Sequence, residues 1–331
     1  MSLAVTGLSC YNFDQRFSPP AHDSVTLLHH VRARIGICAL SALVAFVGTQ
    51  PAYAQTNGGV PRYKVDAAGE LVPDVRAEAA IIYDPRTNEI LWEENATDQR
   101  SIASITKVMT AIVAVEDMPN LSQRVTIVRT DVSRASTTYL RSNDKVTIED
   151  LLHLALIASD NAAARALARV SPSGSAGFIA KMNEKAEALG LESTHYTDPS
   201  GLYADNVSSA FDMARLIAHA SNDPQISTIM RKRDHIIRTP TRRITIRNTN
   251  RLLADETFDV RAAKTGFISK AGYCFATLLR LPQSGQEIAL VVLGAQSNAG
   301  RFAETENLFN WLAARTAALF ATTTTPSPRD E

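Results

Sequence analysis

Three observations in the sequence predict one α+β unit with two lobes: a sheet built from the two ends of the chain and a helical lobe built from its centre. Short runs rich in β-branched residues fall towards both ends. Apolar residues at spacings of three and four fill the middle. Neither an internal repeat nor a Pro/Gly-rich linker divides the two. A cleft between such lobes is the usual place for a ligand pocket.

Ala77 to Tyr83 is mostly apolar and strand-like, Pro85-Arg86-Thr87-Asn88 is turn chemistry, and Ile90-Leu91-Trp92 resumes the strand, which predicts a hairpin. Residues 102 to 117 place Ile105, Val108, Met109, Ile112 and Val113 at helical spacing. Val125 to Val128 and Lys145 to Thr147 read as short extended pieces around a polar loop. Ile148 to Val170 is helical with an interruption near Ser159, Phe178 to Leu189 is a helix stopped by Gly190, and Asp212 to Ser221 is another. Past Arg231, Ile236-Ile237, Ile244-Thr245-Ile246, Cys274 to Leu279 and Ile288 to Leu293 alternate or run apolar as strands do. Phe302 to Phe320 closes with a helix. The folded domain is thus expected over 75–320, between a flexible lead-in at 55–74 and a Thr/Pro/Ser-rich disordered tail at 321–331.

Residues 1–54 read as an N-terminal extension and a signal peptide. Arg32 and Arg34 precede a 13-residue apolar run, Ile35 to Val47, and Ala52-Tyr53-Ala54 is a small-x-small cleavage signal. The run is short for a membrane span; a buried helix or an uncleaved anchor is the alternative. Met1 to His30 is unusual ahead of such a segment, and a true start near Val31 would explain it. Cys10 and Cys38 would leave with it, so Cys274, in an apolar strand-like run, remains as a buried small hydrophobe without a disulfide partner. Ile37 before Cys38 rules against a lipobox, and membrane attachment is not expected. Thirty-four basic and 34 acidic residues balance, which argues against nucleic acid as a partner.

Three motifs carry chemistry. In Ser104-Ile105-Thr106-Lys107, three residues make nearly one helical turn, so a serine and a lysine share a face. A serine needs a base to become a nucleophile, and a lysine serves only if burial or a second cation lowers its ordinary value near ~10.4. Ser159-Asp160-Asn161 interrupts an apolar stretch; it suits a helix N-cap equally well. As a site element, Ser159 would relay a proton and Asn161 would hold a substrate amide. In Lys264-Thr265-Gly266 a strand edge offers a cation, a hydroxyl and a glycine that admits substrate backbone. Lys264, remaining charged, would bind a carboxylate and depress Lys107. Each motif alone is weak. Together, in this order, they are the set shared by penicillin-binding proteins and class A β-lactamases.

The resemblance extends from about Ala77 to Leu312. Leu91-Trp92-Glu93-Glu94-Asn95, the run Ser101 to Thr110, Asp198-Pro199-Ser200-Gly201-Leu202, and Lys264-Thr265-Gly266-Phe267 leading into Ala271-Gly272-Tyr273-Cys274 resemble the low-molecular-mass penicillin-binding D-alanyl-D-alanine peptidases. Arg247-Asn248-Thr249-Asn250-Arg251-Leu252, and a chain that stops soon after its final helix, are similar to the endopeptidase branch. The resemblance implies an antiparallel five-stranded sheet flanked by helices, with a helical lobe beside it. It implies a penicillin-sensitive serine enzyme acting on peptidoglycan peptides in the periplasm or at the envelope surface, with no cofactor or metal. Ser104 would be the nucleophile, Lys107 the general base and Ser159 the relay; Asn161, Lys264, Thr265, Gly266 and Phe267 would bind substrate, with the N–H groups of Ser104 and Phe267 forming an oxyanion hole.

Three alternatives stand beside cross-link cleavage: a carboxypeptidase trimming pentapeptides, a class A-like β-lactamase, and a non-catalytic wall-peptide module. A β-lactamase needs a Glu-x-x-Asn loop, whereas Glu192-Ser193-Thr194-His195 lacks the asparagine, and Phe267 is bulky where those enzymes carry a small residue. Intact motifs speak against the non-catalytic module. A zinc peptidase is disfavoured because His195 and His235 stand alone in the sequence. The polar loop from Thr130 to Asp144, with Arg134, Tyr139 and Arg141, is expected to border the cleft, its arginines suited either to substrate carboxylates or simply to solvent.

Overall fold

The computed structural model describes the backbone of residues 61–323 and side chains as far as residue 317. The expected signal peptide, the start of the lead-in and residues 324–331 of the tail lie outside the described residues.

The lead-in is not flexible where it is described. β1 (Tyr63–Val65) and β2 (Leu71–Pro73) form an antiparallel hairpin. Its turn is set by Asp66, whose Oδ1 accepts from Ala68 N and Glu70 N at 2.9 and 2.8 Å, and by Gly69 at φ 83°. The polar composition that suggested flexibility serves to dock the hairpin on the last helix. Arg62 donates to Glu304 Oε1 at 2.8 Å, and Trp311 Nε1 donates to Leu71 O at 2.9 Å. The folded unit therefore starts at least a dozen residues before the expected boundary at 75.

The expected hairpin follows as β3 (Ala79–Asp84) and β4 (Glu89–Glu94), with Asn88 at φ 59° in the turn. After β5 (Arg100–Ser101) comes one 3-10 turn, Ala103–Ile105, and then α1 (Thr106–Asp117). The helical lobe adds β6 (Arg124–Thr126), α2 (Arg129–Val132), β7 (Lys145–Thr147), α3 (Ile148–Ile157), α4 (Asn161–Val170) and α5 (Gly174–Ala188). It continues through β8 (Val207–Ser208), α6 (Ala210–Ser221) and α7 (Pro224–Met230). The sequence reading missed α7, although its start carries ordinary signals: proline at the first turn, and Asp223 accepting from Gln225 N and Ile226 N. A two-stranded ribbon, β9 (Asp234–Arg238) and β10 (Arg243–Arg247), precedes β11 (Asp259–Ile268), β12 (Gly272–Arg280), β13 (Glu287–Ala295) and α8 (Asn298–Thr323).

Five strands form one antiparallel sheet in the order β11-β12-β13-β3-β4. The two chain ends meet where β13 pairs with β3, Leu290 opposite Ile82 and Val291 opposite Ile81. Every residue of β3 is buried, because helices cover both faces and no strand face is left to alternate with polar residues. Ala79, Ile81, Leu278 and Val291 pack on the helical lobe; Ala80, Ile82, Phe275 and Leu290 pack on Phe302, Leu308 and Phe309 of α8. β11 is an edge strand, so one side of Lys264-Thr265-Gly266 is free of sheet pairing and faces the lobe.

Candidate active site

Ser104 lies on the 3-10 turn rather than on α1 itself, and the turn places it beside the first-turn Lys107. Lys107 is completely buried. Its Nζ has three oxygen neighbours: Ser104 Oγ at 2.8 Å, Asn161 Oδ1 at 2.6 Å and Ser200 O at 2.6 Å. Burial pulls its pKa down to about 7, against the opposing attraction of Asp198 and Asp160, with Arg165 assisting the descent. That displacement corresponds to roughly 5 kcal/mol against the ammonium, more than two partly screened carboxylates recover here. In the neutral amine, two N–H bonds go to Asn161 Oδ1 and Ser200 O. The lone pair is then left for the Ser104 hydroxyl proton.

Two backbones must come close to hold this geometry. A Cβ on Gly201, at φ 75°, would stand 2.0 Å from Ala103 O, and one on Gly266 would stand 2.7 Å from Ile102 O and 3.1 Å from Ser104 N. Glycine is thus required on both sides of the Ser104 turn. Ala103 and Ser159 themselves hold φ values of 48° and 58°, uncommon for residues with a side chain and frequent at functional sites.

The second motif caps a helix and also bonds to both lysines. Asp160 is the N-cap of α4, accepting from Ala163 N, and also accepts from Thr138 Oγ1 and Tyr139 N. Burial outweighs these bonds and leaves its pKa raised. Asn161 is more committed than a free substrate clamp: Oδ1 accepts from Lys107, and Nδ2 donates to Ala135 O at 2.7 Å. One amide hydrogen remains for a substrate carbonyl. Ser159 Oγ accepts from Lys264 Nζ at 2.9 Å, so the structure joins the second motif to the third.

Lys264 is also buried, donating to Ser159 Oγ and to Thr265 O at 2.8 Å. Sequence reasoning expects Lys264 to stay charged, and its burial works against that charge. Burial holds its pKa well below the lysine range, with repulsion from Lys107 second and from Arg301 third. Burial, more than mutual repulsion, depresses both lysines. Thr265 Oγ1 pairs with Thr249 Oγ1 at 2.6 Å, while Thr249 N donates to Ile157 O. Thr249 therefore ties β11 to the end of α3, one wall of the cleft to the other. Phe267 is 49% exposed, its ring stacked on Tyr273 at 4.2 Å.

Several participants carry no signal that side-chain patterning can detect. Ser200 contributes a carbonyl, and Asp198 holds the loop that aims it. Asp198 Oδ1 accepts from Ser200 N, Ser200 Oγ and Gly201 N; Oδ2 accepts from Tyr203 N and Asn206 Nδ2. Burial works against the Asp198 charge, but these bonds prevail and lower its pKa. Arg301 on α8 is buried and donates from one guanidinium nitrogen to Gly266 O at 2.9 Å and Cys274 O at 3.3 Å, fixing the strand beside Ser104. Cys274 is buried, its thiol pushed up to about 11 by that burial. His235, expected to stand alone, stacks on His153 at 3.8 Å. Glu192 is exposed on the turn after α5, where its neighbour Ser193 donates to Asp212 of α6.

The loop over 133–144 does border this site. Asn161 bonds to Ala135 O and Thr137 O, and Arg242 of the β9–β10 ribbon reaches Tyr139 O at 2.6 Å and Asp144 Oδ2 at 2.5 Å. Arg134, Tyr139 and Arg141 are exposed on it.

Residues 66–297 match the family described as D-alanyl-D-alanine carboxypeptidase. A D-alanyl-D-alanine endopeptidase of Escherichia coli (strain K12) is 31% identical over 283 residues, 84% of this chain and 88% of that protein. The solved DD-transpeptidase of Streptomyces K15 is 28% identical and superposes with a TM-score of 0.68, covering 73% of this chain and 98% of the other. Penicillin-binding protein D2 of Listeria monocytogenes, solved in its cefotaxime-bound form, is 29% identical with a TM-score of 0.64, covering 73% and 98%.

Proposed function

Because the chain belongs to the D-alanyl-D-alanine carboxypeptidase family of serine peptidases, we propose that it opens peptide cross-links of peptidoglycan by acyl transfer through Ser104. The observation that carries the reading is the buried Lys107, its pKa near neutrality and its nitrogen 2.8 Å from Ser104 Oγ. A neutral amine there takes the hydroxyl proton as Oγ attacks the D-alanyl carbonyl. The resulting oxyanion is received by the N–H groups of Ser104 and Phe267, which the glycine at 266 lets approach each other. Ser159 passes the proton to the leaving amine, water then takes up the acyl group, and Lys107 again serves as base. A substrate carboxylate entering beside Lys264 and Thr265 favours the charged form of Lys264, which burial disfavours.

Penicillins trap the same acyl-enzyme, in keeping with the cefotaxime-bound state of the Listeria protein. Cross-link cleavage, rather than trimming of pentapeptides, is supported by the name of the E. coli relative and by the exposed arginines of the loop at 133–144, which suit the carboxylates of a second peptide. The exposed position of Glu192 supports no deacylating role of the β-lactamase kind. The substrate and the Arg32 to Ala54 segment support export across the cytoplasmic membrane; among the described residues no helix is long and apolar enough to cross one.

The reading is tested by incubating the enzyme separately with a cross-linked muropeptide dimer and a monomeric pentapeptide. The dimer is expected to be split, with little free D-alanine from the pentapeptide; the opposite pattern would make the chain a carboxypeptidase. Ser104→Ala is expected to fold normally and to lose all covalent labelling by fluorescent penicillin.

A further inference from the structure

The β9–β10 ribbon and the segments beside it are the most lopsided region of the molecule. Residues 231–251 hold eight basic side chains and one acid, Asp234, an excess of seven positive charges on a chain whose formal net charge is zero. The rest of the chain therefore carries seven negative charges in excess, and the polarity is concentrated rather than spread.

Register and burial show how the ribbon presents these charges. Ile237, Ile244 and Ile246 are buried and pack towards α3, whereas Arg238, Arg243, Thr245 and Arg247 are exposed. Arg238 and Arg243 are directly opposite one another across the ladder, and Arg247 follows on the same face. Like charges in facing positions destabilise a hairpin, and a counter-charge would normally be placed between them. Among the described residues, Arg231, Arg233, Arg238 and Arg243 form no ion pair; Arg247 has Asp234 opposite it in the ladder, without an ion pair between them. Four of the eight basic groups are engaged internally: Arg231 Nε donates to Ser227 O, Lys232 Nζ pairs with His153 Nε2, Arg251 lies over the Phe302 ring, and Arg242 bonds to Asp144 and Tyr139 O, which fastens the tip of the ribbon to the loop beside the active site. The ribbon is thus fastened at its tip, while Arg238, Arg243 and Arg247 remain exposed and outside any ion pair. Arg243 and Arg247 are about 13 Å apart along the strand, enough to engage separate groups on an extended polymer.

We infer that the outer face of the β9–β10 ribbon is a docking surface for the carboxylate-bearing peptide stems of polymeric peptidoglycan. The inference rests on the proposed substrate and adds a second contact with it, outside the catalytic cleft. Guanidinium groups grip carboxylates in bidentate fashion, and repeated anionic groups on one polymer make several weak contacts additive.

The test is co-sedimentation of the full chain, acylated beforehand with penicillin to prevent digestion, with purified peptidoglycan sacculi. A triple variant Arg238→Gln, Arg243→Gln and Arg247→Gln is compared with the wild type at low and at physiological salt. Binding by the variant is expected to be at least tenfold weaker, binding by the wild type to fall steeply with salt, and amidation of the sacculus carboxylates to abolish it. Cleavage of a soluble muropeptide dimer is expected to change less than twofold in the variant. Unaltered sedimentation of the variant, or wild-type binding indifferent to amidation, would overturn the inference. So would arginine-dependent flotation with anionic phospholipid vesicles in place of sacculus binding. Failure to cleave the dimer while sacculus binding remains would count against the catalytic reading and leave this one standing.

Discussion

Lys107 and Lys264 face each other across one cleft, are equally buried, and are both pulled down by that burial, yet their surroundings differ in kind. The wall around Lys107 belongs to the helical lobe and surrounds the nitrogen with three fixed oxygens, one of them Oγ of Ser104, the proposed nucleophile. The wall around Lys264 belongs to a sheet edge and gives its nitrogen two neutral oxygens, Ser159 Oγ and Thr265 O, with an unpaired strand side alongside. The first environment suits the proposed exchange of a proton with no change of partner. The second suits the proposed binding of a substrate carboxylate. Burial alone does not set a lysine's role; the number and permanence of its acceptors do.

The largest effect should come from breaking the first environment. Lys107→Arg keeps charge and approximate size but cannot release a proton, and should slow penicillin acylation by about a thousandfold or more, read from stopped-flow or gel labelling. In the wild type, acylation should fall about tenfold per pH unit below 7 as Lys107 becomes protonated, and level off above it. The stability consequence has the same sign. The folded state holds this proton less tightly than the unfolded chain, so the contribution of Lys107 to stability should rise with pH from about 7 towards the unfolded value near ~10.4. A pH-independent acylation rate between 5 and 8 would contradict the assignment of the base.

Gly266→Ala tests where the two walls touch. The added methyl would sit 2.7 Å from Ile102 O, a backbone atom with no freedom to step aside, so the strand must move away from Ser104 N. Acylation should drop about a hundredfold, in line with losing one oxyanion donor, while the melting temperature changes by only a few degrees. Lys264→Arg should be milder, about tenfold and mainly in KM, because the cation is retained; a loss equal to that of Lys107→Arg would erase the division of roles. Thr249→Val should be smallest, about three- to fivefold, confined to β-lactams carrying the free carboxylate and reversed in Thr249→Ser, since only a hydroxyl can orient that of Thr265.

The motifs that line the cleft were legible because each places a functional side chain in a local pattern: Ser104 and Lys107 one turn apart, Ser159 and Asn161 at a helix junction, Lys264 on a strand. The sheet was legible because apolar runs at 77–83 and 288–293 had no other way to be buried. Ser200 was not, because its contribution is a carbonyl, which every residue has; what marked it was the Asp198-Pro199-Ser200-Gly201 turn, recognised by resemblance but not assigned a task. Arg301 was not, because in sequence it is one more arginine near the start of an amphipathic helix. Only tertiary packing turns it onto Gly266 O, 35 residues away. The lead-in hairpin was misread because its polar side chains bond to α8 rather than to water.

Arg301 also fixes when the enzyme can begin to work. A chain emerges amino terminus first, so Ser104 and Lys107 are available long before the sheet that must close over them. β3 waits for β13, some two hundred residues later, and the strand beside the nucleophile waits for a guanidinium about thirty residues from the end. Contacts of such separation form late in folding. The site is thus assembled from segments far apart in sequence, and the three motifs alone, without β13 and Arg301, do not make up the geometry described.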